Sequence, residues 1–341
     1  MLIIRSRLSR RGAQILGAAL AAAAGITLLA VLLSPSQHAN QAVGDGSTPQ
    51  ASSNRPISQV PGGSPAIQAS SSNSVTTGQT PVVFSGSARA IGATGMAYAA
   101  FNADGSLLAT GDFDGTVDLW NPGTLQIVRT LPSNETKVSF FASLTFAPNG
   151  TLVLGGDSNA YILNLATGTA TSIPQINDGI IGSLDFSPDG KVLAYSNGNV
   201  LLDDLASGTV TQFPFDPNYS AALGVAFSPN GADLAVSDLS GSVYIWNLKR
   251  KTVTASLPDP GSQGIDAVAY SPDGKFLAAG DESGNVYIWR LADDRTAYVI
   301  PQPPQAGGAA LSVAFSPNGK TLASADNDNT VYMWNIAGLR L

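Results

Sequence analysis

Residues 271–290 read SPDGKFLAAGDESGNVYIWR, which divides into a turn, a short apolar strand, a second turn and a second apolar strand. Ser, Pro, Asp and Gly favour turns for separate reasons: Pro presets φ, Asp hydrogen-bonds its own backbone, and Gly adopts positive φ. The flanking runs are rich in Val, Ile, Tyr and Ala and are only about 5–6 residues long, which favours strands over helices. The stretch therefore predicts a β-hairpin that ends in Trp289.

The same turn recurs along the chain, with 40–45 residues between successive turn glycines. Its six copies are Asn102–Gly105, Ala147–Gly150, Ser187–Gly190, Ser228–Gly231, Ser271–Gly274 and Ser316–Gly319. All four tryptophans lie 15 residues after a turn glycine: Trp120, Trp246, Trp289 and Trp334. In the second and third copies the matching strand comes two residues sooner and carries Leu163 and Asp203 instead. A repeat of this length, with several short strands per copy, indicates the blade of a β-propeller.

Four strands are predicted in each copy, at 95–101, 106–111, 116–121 and 125–131 in the first. The fold class is therefore all-β, a six-bladed β-propeller with four-stranded antiparallel blades that covers residues 81–341. The sixth copy has too few residues after Ile336 for its outer strand. We expect Pro81–Ser85 to supply that strand and so close the ring between the two ends of the propeller, which removes an exposed sheet edge.

The N-terminus has the pattern of a membrane signal. A short basic tail at 1–12, with Arg5, Arg7, Arg10 and Arg11, precedes an apolar run at 13–33 that is long enough for a transmembrane helix. The basic flank should remain cytoplasmic, which predicts a signal-anchor, a single-pass location in the cell membrane and a propeller on the extracytoplasmic side. The alternative is a cleaved signal peptide and a secreted propeller, although this run is longer than a usual signal core and no clean cleavage site follows it.

A disordered Ser/Gly/Pro-rich linker is predicted at 34–80. Of its 47 residues, 34 are Ser, Thr, Gly, Pro, Gln or Asn, and only Asp45 and Arg55 are charged. Such a segment buries too little apolar surface to offset the entropy of ordering. As a flexible coil it would span on the order of 35–40 Å and hold the propeller away from the membrane.

Composition excludes several classes of chemistry. The chain has no Cys, so disulfides, thiol catalysis and Cys-based metal sites are excluded. Residues 34–341 carry 13 basic and 24 acidic side chains, which does not resemble the clustered Lys and Arg of a nucleic-acid-binding surface. We expect no nucleic-acid partner, and a basic protein or peptide suits this charge better.

The turns and the strands that end in Trp resemble the WD-repeat β-propeller family over about three quarters of the chain. The matching pieces include Leu107–Asp112 and Thr116–Asn121. The resemblance is to a divergent, bacterial-type member, because the Gly-His dipeptides are missing and Trp-Asn or Trp-Arg replaces the family's Trp-Asp. The complete Asp–His–Ser/Thr–Trp network of the family cannot form here, although Asp114 and Asp328 occupy its Asp position. A TolB-like periplasmic propeller, which also uses Ser-Pro-Asp-Gly turns, is an alternative.

One column of polar residues lies seven positions after the turn glycines: Asp112, Asp157, Asn197, Asp238, Asp281 and Asp326. Each belongs to the turn between the second and third strands of its blade, so ring closure would place all six at one end of the propeller. These side chains are typical caps of their own turns. The functional hypothesis is a negatively charged rim that binds a partner.

Catalytic patterns are missing from the propeller sequence. The only His of the chain, His38, lies in the linker, and the sequence has no phosphate-binding loop and no metal-binding His motif. We therefore predict no cofactor and no metal, and a non-enzymatic protein-interaction scaffold. The alternative is a propeller that binds a sugar or small ligand in its central channel, with carboxylate-dependent catalysis as a possibility.

Overall fold

The computed structural model describes residues 82–83, 88–92, 96–112, 114–138, 141–156, 159–173, 181–214, 221–258, 264–293, 295–301 and 308–337. These residues form 25 β-strands and one short helix. No helix within these ranges is long and apolar enough to cross a bilayer. The predicted membrane helix at 13–33 and the predicted linker at 34–80 lie outside the described residues.

The first half of the chain forms three blades. Two strands, β1 (Val82–Val83) and β2 (Ala88–Gly92), precede them. Blade 1 consists of β3 (Met96–Phe101), β4 (Leu108–Asp112), β5 (Val117–Asn121) and β6 (Gln126–Leu131), and helix α1 (Ser133–Thr136) follows it. Blade 2 consists of β7 (Phe141–Phe146), β8 (Leu152–Gly156), β9 (Ala160–Asn164) and β10 (Thr169–Ser172). Blade 3 consists of β11 (Ser183–Phe186), β12 (Val192–Ser196), β13 (Val200–Asp204) and β14 (Thr209–Gln212).

The second half completes the ring. Blade 4 consists of β15 (Ala222–Phe227), β16 (Asp233–Asp238), β17 (Ser242–Asn247) and β18 (Thr252–Pro258). Blade 5 consists of β19 (Ile265–Tyr270), β20 (Phe276–Asp281), β21 (Val286–Arg290) and β22 (Arg295–Ile300). Blade 6 begins with β23 (Ala310–Phe315), β24 (Thr321–Asp326) and β25 (Thr330–Asn335). The first strands of successive blades contact one another in a closed cycle from β3 round to β23, which confirms the six-bladed propeller.

Ring closure uses a different segment from the one predicted. The outer strand of blade 6 is β2, which pairs antiparallel with β25 so that Ala88 lies opposite Trp334 and Gly92 opposite Thr330. The prediction that Pro81–Ser85 fills this place is wrong. Two of its residues form β1, which adds a fifth, parallel strand to the outer edge of blade 5 beside Tyr298 and Val299. The N-terminal segment therefore pairs with two neighbouring blades in succession.

Each repeated turn is closed by its own side chains. In the turn of blade 5, Ser271 Oγ donates to Asp273 Oδ1 at 2.7 Å and accepts from the Phe276 amide at 2.9 Å. The turn glycine Gly274 has φ 70°, a conformation that favours glycine. A Cβ on Gly274 would lie 3.6 Å from Pro229 Cδ in the turn of blade 4. The Ser-Pro-Asp-Gly pattern thus shapes each hairpin and also packs neighbouring turns together.

The apolar core lies between successive blades. Each Trp packs against the preceding blade: Trp120 contacts the cluster of Val331 and Met333, and Trp246 contacts Phe213 edge-to-face with ring centroids 5.4 Å apart. Leu163 takes the Trp position of blade 2 and packs beside Leu119 of blade 1. Since both faces of the inner strands are covered, many of these strands are apolar at consecutive positions, as predicted.

The first prediction tests which segment closes the ring. We expect the double variant Gly92→Cys and Thr330→Cys to form a disulfide on mild oxidation, because directly opposed residues of an antiparallel pair lie about 4.5–5.5 Å apart. The cross-link should raise the free energy of unfolding by about 2–4 kcal/mol relative to the reduced protein. A non-reducing gel and urea unfolding measure both effects in a chain that has no other cysteine.

The control pairs Val83→Cys with the same Thr330→Cys. It should not cross-link, because Val83 lies opposite Val299 in blade 5. Efficient cross-linking of the control, with none in the Gly92 pair, would show that Pro81–Ser85 closes the ring, as first predicted.

Candidate functional site

The polar column of the sequence lies at one end of the blades, where the second strand of each blade meets the third. Asp112, Asp238, Asp281 and Asp326 are the last residues of β4, β16, β20 and β24, and all four are buried, with at most 4% of their surface exposed. Asn197 follows β12 and is partly exposed, and Asp157 lies outside the described residues. The positions are as expected, and the buried side chains favour a role inside the turns. Their partner-binding role stays a prediction.

Two of these carboxylates cap their turns. Asp281 Oδ1 accepts from the amides of Ser283 at 2.9 Å and Asn285 at 2.7 Å. Its Oδ2 accepts from Asn285 Nδ2 at 3.1 Å and from the Tyr287 hydroxyl at 3.2 Å. Asp238 is held in the same manner, with the Ser240 hydroxyl as a donor at 2.7 Å. Donors on the residues after each Asp therefore satisfy the buried charge, and in blade 4 the Ser240 hydroxyl is one of them.

The other two carboxylates have an Asp at that position and are poorly satisfied. Neither oxygen of Asp326, nor Oδ1 of Asp112, has a hydrogen-bond partner among the described residues. Burial, followed by the charge of Asp328, raises the pKa of Asp326 to about 8; the nearby Ser324 hydroxyl opposes the shift. Burial, followed by the charges of Asp118 and Asp114, raises the pKa of Asp112 to about 7. An Asp cannot donate when ionised, so it repels its neighbour where a serine would stabilise it.

Part of the family's hydrogen-bond network persists in the same two blades. Trp120 Nε1 donates to Thr110 Oγ1 at 2.9 Å in blade 1, and Trp334 Nε1 donates to Ser324 Oγ at 3.4 Å in blade 6. Blades 4 and 5 have Val236 and Ala279 at the position of the hydroxyl. The sequence carried this signal five residues after the turn glycine, where Thr110 and Ser324 stand alone among apolar and aromatic residues.

The central channel has its own polar side chains, which sequence reasoning missed. A cavity of about 310 Å³ runs between the six innermost strands and is lined mainly by small and apolar residues. Asp185 Oδ1 accepts from the Phe186 amide at 2.9 Å, and its Oδ2 accepts from the Phe227 amide of blade 4 at 2.7 Å. Burial raises the pKa of Asp185 to about 7, and the two amides oppose the shift. Asp185 is thus a structural link between blades 3 and 4.

Asp266 is the channel carboxylate that remains open to a ligand. It lies in β19 beside Ile265, which pairs with Asp281, and it therefore faces the same end as the polar column. Burial, followed by the charges of exposed Glu282 and buried Asp281, raises the pKa of Asp266 to about 7. Burial and the charge of Asp266 also raise the pKa of Tyr98 across the channel. This arrangement favours a cationic group at the channel mouth.

No group of three or more His, Cys, Asp or Glu side chains in the described ranges could hold a metal ion. The two channel carboxylates also differ in role, since Asp185 is held by backbone amides. A channel that is mostly apolar and offers one open carboxylate gives little support to the carboxylate-dependent enzymatic alternative.

The second prediction concerns pH. The raised pKa of Asp326 means that the folded protein binds a proton more tightly than the unfolded chain, so its contribution to stability is complete below about pH 4 and is lost as the pH rises through about 8. We expect Asp326→Asn to increase the free energy of unfolding at pH 8 by at least about 1 kcal/mol and to change it little at pH 4. Urea unfolding followed by tryptophan fluorescence measures both.

Asp281→Asn is the matched control in the neighbouring blade. In this variant the new side-chain NH2 would face the Asn285 Nδ2 group, which is itself a donor. The variant should therefore lower the free energy of unfolding by about 1–3 kcal/mol at both pH values. An equal loss at pH 8 from both variants would show that Asp326 is not destabilising when ionised.

Comparison with known families agrees with this geometry. Four segments match the WD40 family, described as WD domain, G-beta repeat: residues 79–121, 210–247, 251–290 and 305–335. The second and third matches begin in or just before the outer strand of one blade and end with the third strand of the next, and the first match includes the closing strand β2. Blades 2 and 3, which lack Trp, lie largely between the matches. The four matched repeats and the closed ring of six blades support the resemblance of this chain to the WD-repeat β-propeller family.

Proposed function

We propose that this chain is a non-enzymatic scaffold that presents its propeller outside the cell membrane and binds a basic segment of a protein partner. WD40 propellers generally bind protein partners and are typically not enzymes. Four arginines, an apolar run and a polar linker in the sequence support the membrane tether. The propeller is then a binding platform joined to the membrane by the linker.

The observation that carries the basic partner is the acidic channel mouth on blade 5. The backbone amide of exposed Glu282 donates to the Gly264 carbonyl at 3.0 Å, and Ile265 pairs with buried Asp281, so both acids lie beside partly buried Asp266. Their charges add to the effect of burial and raise the pKa of Asp266. Like charges held together in a partly dry site favour an incoming cation, because its charge relieves their repulsion. A lysine or arginine side chain of a partner would supply that charge, with Glu282 as the first contact.

The third prediction tests the tether. In cell fractions the full chain should sediment with membranes, resist extraction by high salt and dissolve in detergent, since a spanning helix is held by apolar burial. Protease added to the extracytoplasmic side should digest the linker. A variant without residues 13–33 serves as the control and should remain in the soluble fraction. A shortened, soluble propeller from the intact gene product would support the cleaved-signal alternative instead.

The fourth prediction tests the partner surface. A photo-cross-linking amino acid at exposed Ser283, beside Glu282, should capture a protein with a basic segment, whereas the same group at exposed Lys320 at the other end of the blades should not. Adding Glu282→Lys should reduce capture about tenfold, because a like charge then faces the partner. Equal capture from both positions, or capture that charge reversal leaves unchanged, would contradict the proposal that a basic partner binds at the acidic channel mouth.

A further inference from the structure

A second concave site lies between blades 4 and 5, at the end of the sheets opposite the acidic column. It is a groove of about 580 Å³ beside the turns Ser228–Gly231 and Ser271–Gly274. Ile245, Ala255 and Leu291 form apolar walls, and Asp233, Tyr270 and Asp273 supply polar groups. Its volume is in the range of sites that bind small molecules or short peptide segments.

Two positions of the repeat depart from the other blades at this groove. Tyr270 lies four residues before its turn glycine, where the other five blades have a phenylalanine: Phe101, Phe146, Phe186, Phe227 and Phe315. Asp233 lies two residues after its turn glycine, where the other blades carry no charge: Leu107, Leu152, Val192, Phe276 and Thr321. Both departures line one groove, although they come from different blades. Their coincidence indicates a site that the fold itself does not require.

The Tyr270 hydroxyl lacks a structural role within the described residues. Its oxygen is buried and has no hydrogen-bond partner in the ranges that the structure covers. Tyr270 and Asp233 line the same groove, and burial, followed by the charge of Asp233, raises the pKa of Tyr270. Phenylalanine fills the same place in five blades without a buried hydroxyl to satisfy. The extra oxygen costs stability unless something supplies its missing hydrogen bond.

Only one oxygen of the Asp233 carboxylate accepts a hydrogen bond from a described residue. Its Oδ1 accepts from Asn247 Nδ2 at 2.9 Å. Its Oδ2 receives no hydrogen bond from a described residue, and it can accept one from a ligand. Asp273, on the opposite wall, is paired with Lys275 at 3.0 Å, but both side chains are well exposed, which makes that pair weak and easily exchanged. The groove therefore offers two carboxylates and a hydroxyl between apolar walls.

We propose that this groove binds an arginine side chain of a protein partner. The inference rests on the proposed role in protein interaction and adds a second contact at the opposite end of the blades. The aliphatic stem of arginine would pack on Ile245, Ala255 and Leu291. Its planar guanidinium has donors for Asp233, Asp273 and the lone pairs of the Tyr270 hydroxyl. A neutral or anionic side chain would leave the carboxylates unpaired.

The test uses the full chain in detergent and two acetylated, amidated pentapeptides of glycine and leucine, one with arginine at its centre and one with citrulline. Citrulline has the same shape as arginine without the charge. Calorimetric titration should show that the arginine peptide binds about tenfold or more tightly than the citrulline peptide. Tyr270→Phe and Asp233→Leu should each weaken the arginine peptide, and both variants should fold because other blades already carry those residues.

Two equivalent turn residues provide the matched control. Asp273 and Asp189 occupy the same turn position and each pairs with the Lys two residues later, at 3.0 and 3.5 Å, but only Asp273 lines the groove. Asp273→Asn should weaken binding of the arginine peptide, and Asp189→Asn should not. Equal binding of both peptides, equal effects of the two turn variants, or unchanged binding in Asp233→Leu would each overturn the proposal. Cross-linking at Ser283 in the Asp233→Leu protein separates this result from the proposed function, since capture there depends on the other end of the blades.

Discussion

The constraint on which the whole structure depends is that the inner strands of a blade are apolar on both faces and must be covered on both sides. All six residues of β20 are buried, as are five consecutive residues of β4 and of β8. A sheet of this kind is stable only between two others, so the ring must close before any blade is fully covered. The Trp side chains contribute to this packing, because each one fills the space between its own blade and the preceding blade. The closing strand β2 matters for the same reason: it covers the edge of β25 and completes the sixth sheet.

The turns and the Trp column were sufficient to predict the number and order of the blades, because both depend on residues close together in sequence. Ser271, Asp273 and Gly274 form their turn with bonds that span at most five residues. Closure depends instead on pairing between Ala88–Gly92 and a strand more than two hundred residues later. Two short apolar segments were available, and local pattern does not decide which one meets β25. The segment first predicted to close the ring still forms a strand, β1, because it pairs with the outer strand β22 of the preceding blade.

The polar column was placed correctly but interpreted too simply. Its position after the second strand follows from the repeat, while its environment depends on the residue two positions later. Ser240 and Ser283 donate to the preceding Asp, directly or through the backbone, whereas Asp328 adds a second charge beside Asp326. That difference is visible in the sequence once the turn geometry is known. Burial was the missing quantity, because a turn at the surface suggests exposed carboxylates and these are enclosed by the neighbouring blades.

Residues that depart from the repeat occur in two settings, either alone in the core or together around an open groove. The setting helps to distinguish a binding residue from one that only affects packing. Asp203 replaces Trp in blade 3, is fully buried, has no partner for either oxygen among the described residues, and lines neither the channel nor the groove. Burial, followed by the charge of Asp204, raises its pKa. Tyr270 and Asp233 also have polar atoms without partners among the described residues, but both line one groove, and they come from two neighbouring blades. A single mismatch in the core weakens one interface, whereas two complementary mismatches around one open space provide the chemistry to bind a ligand.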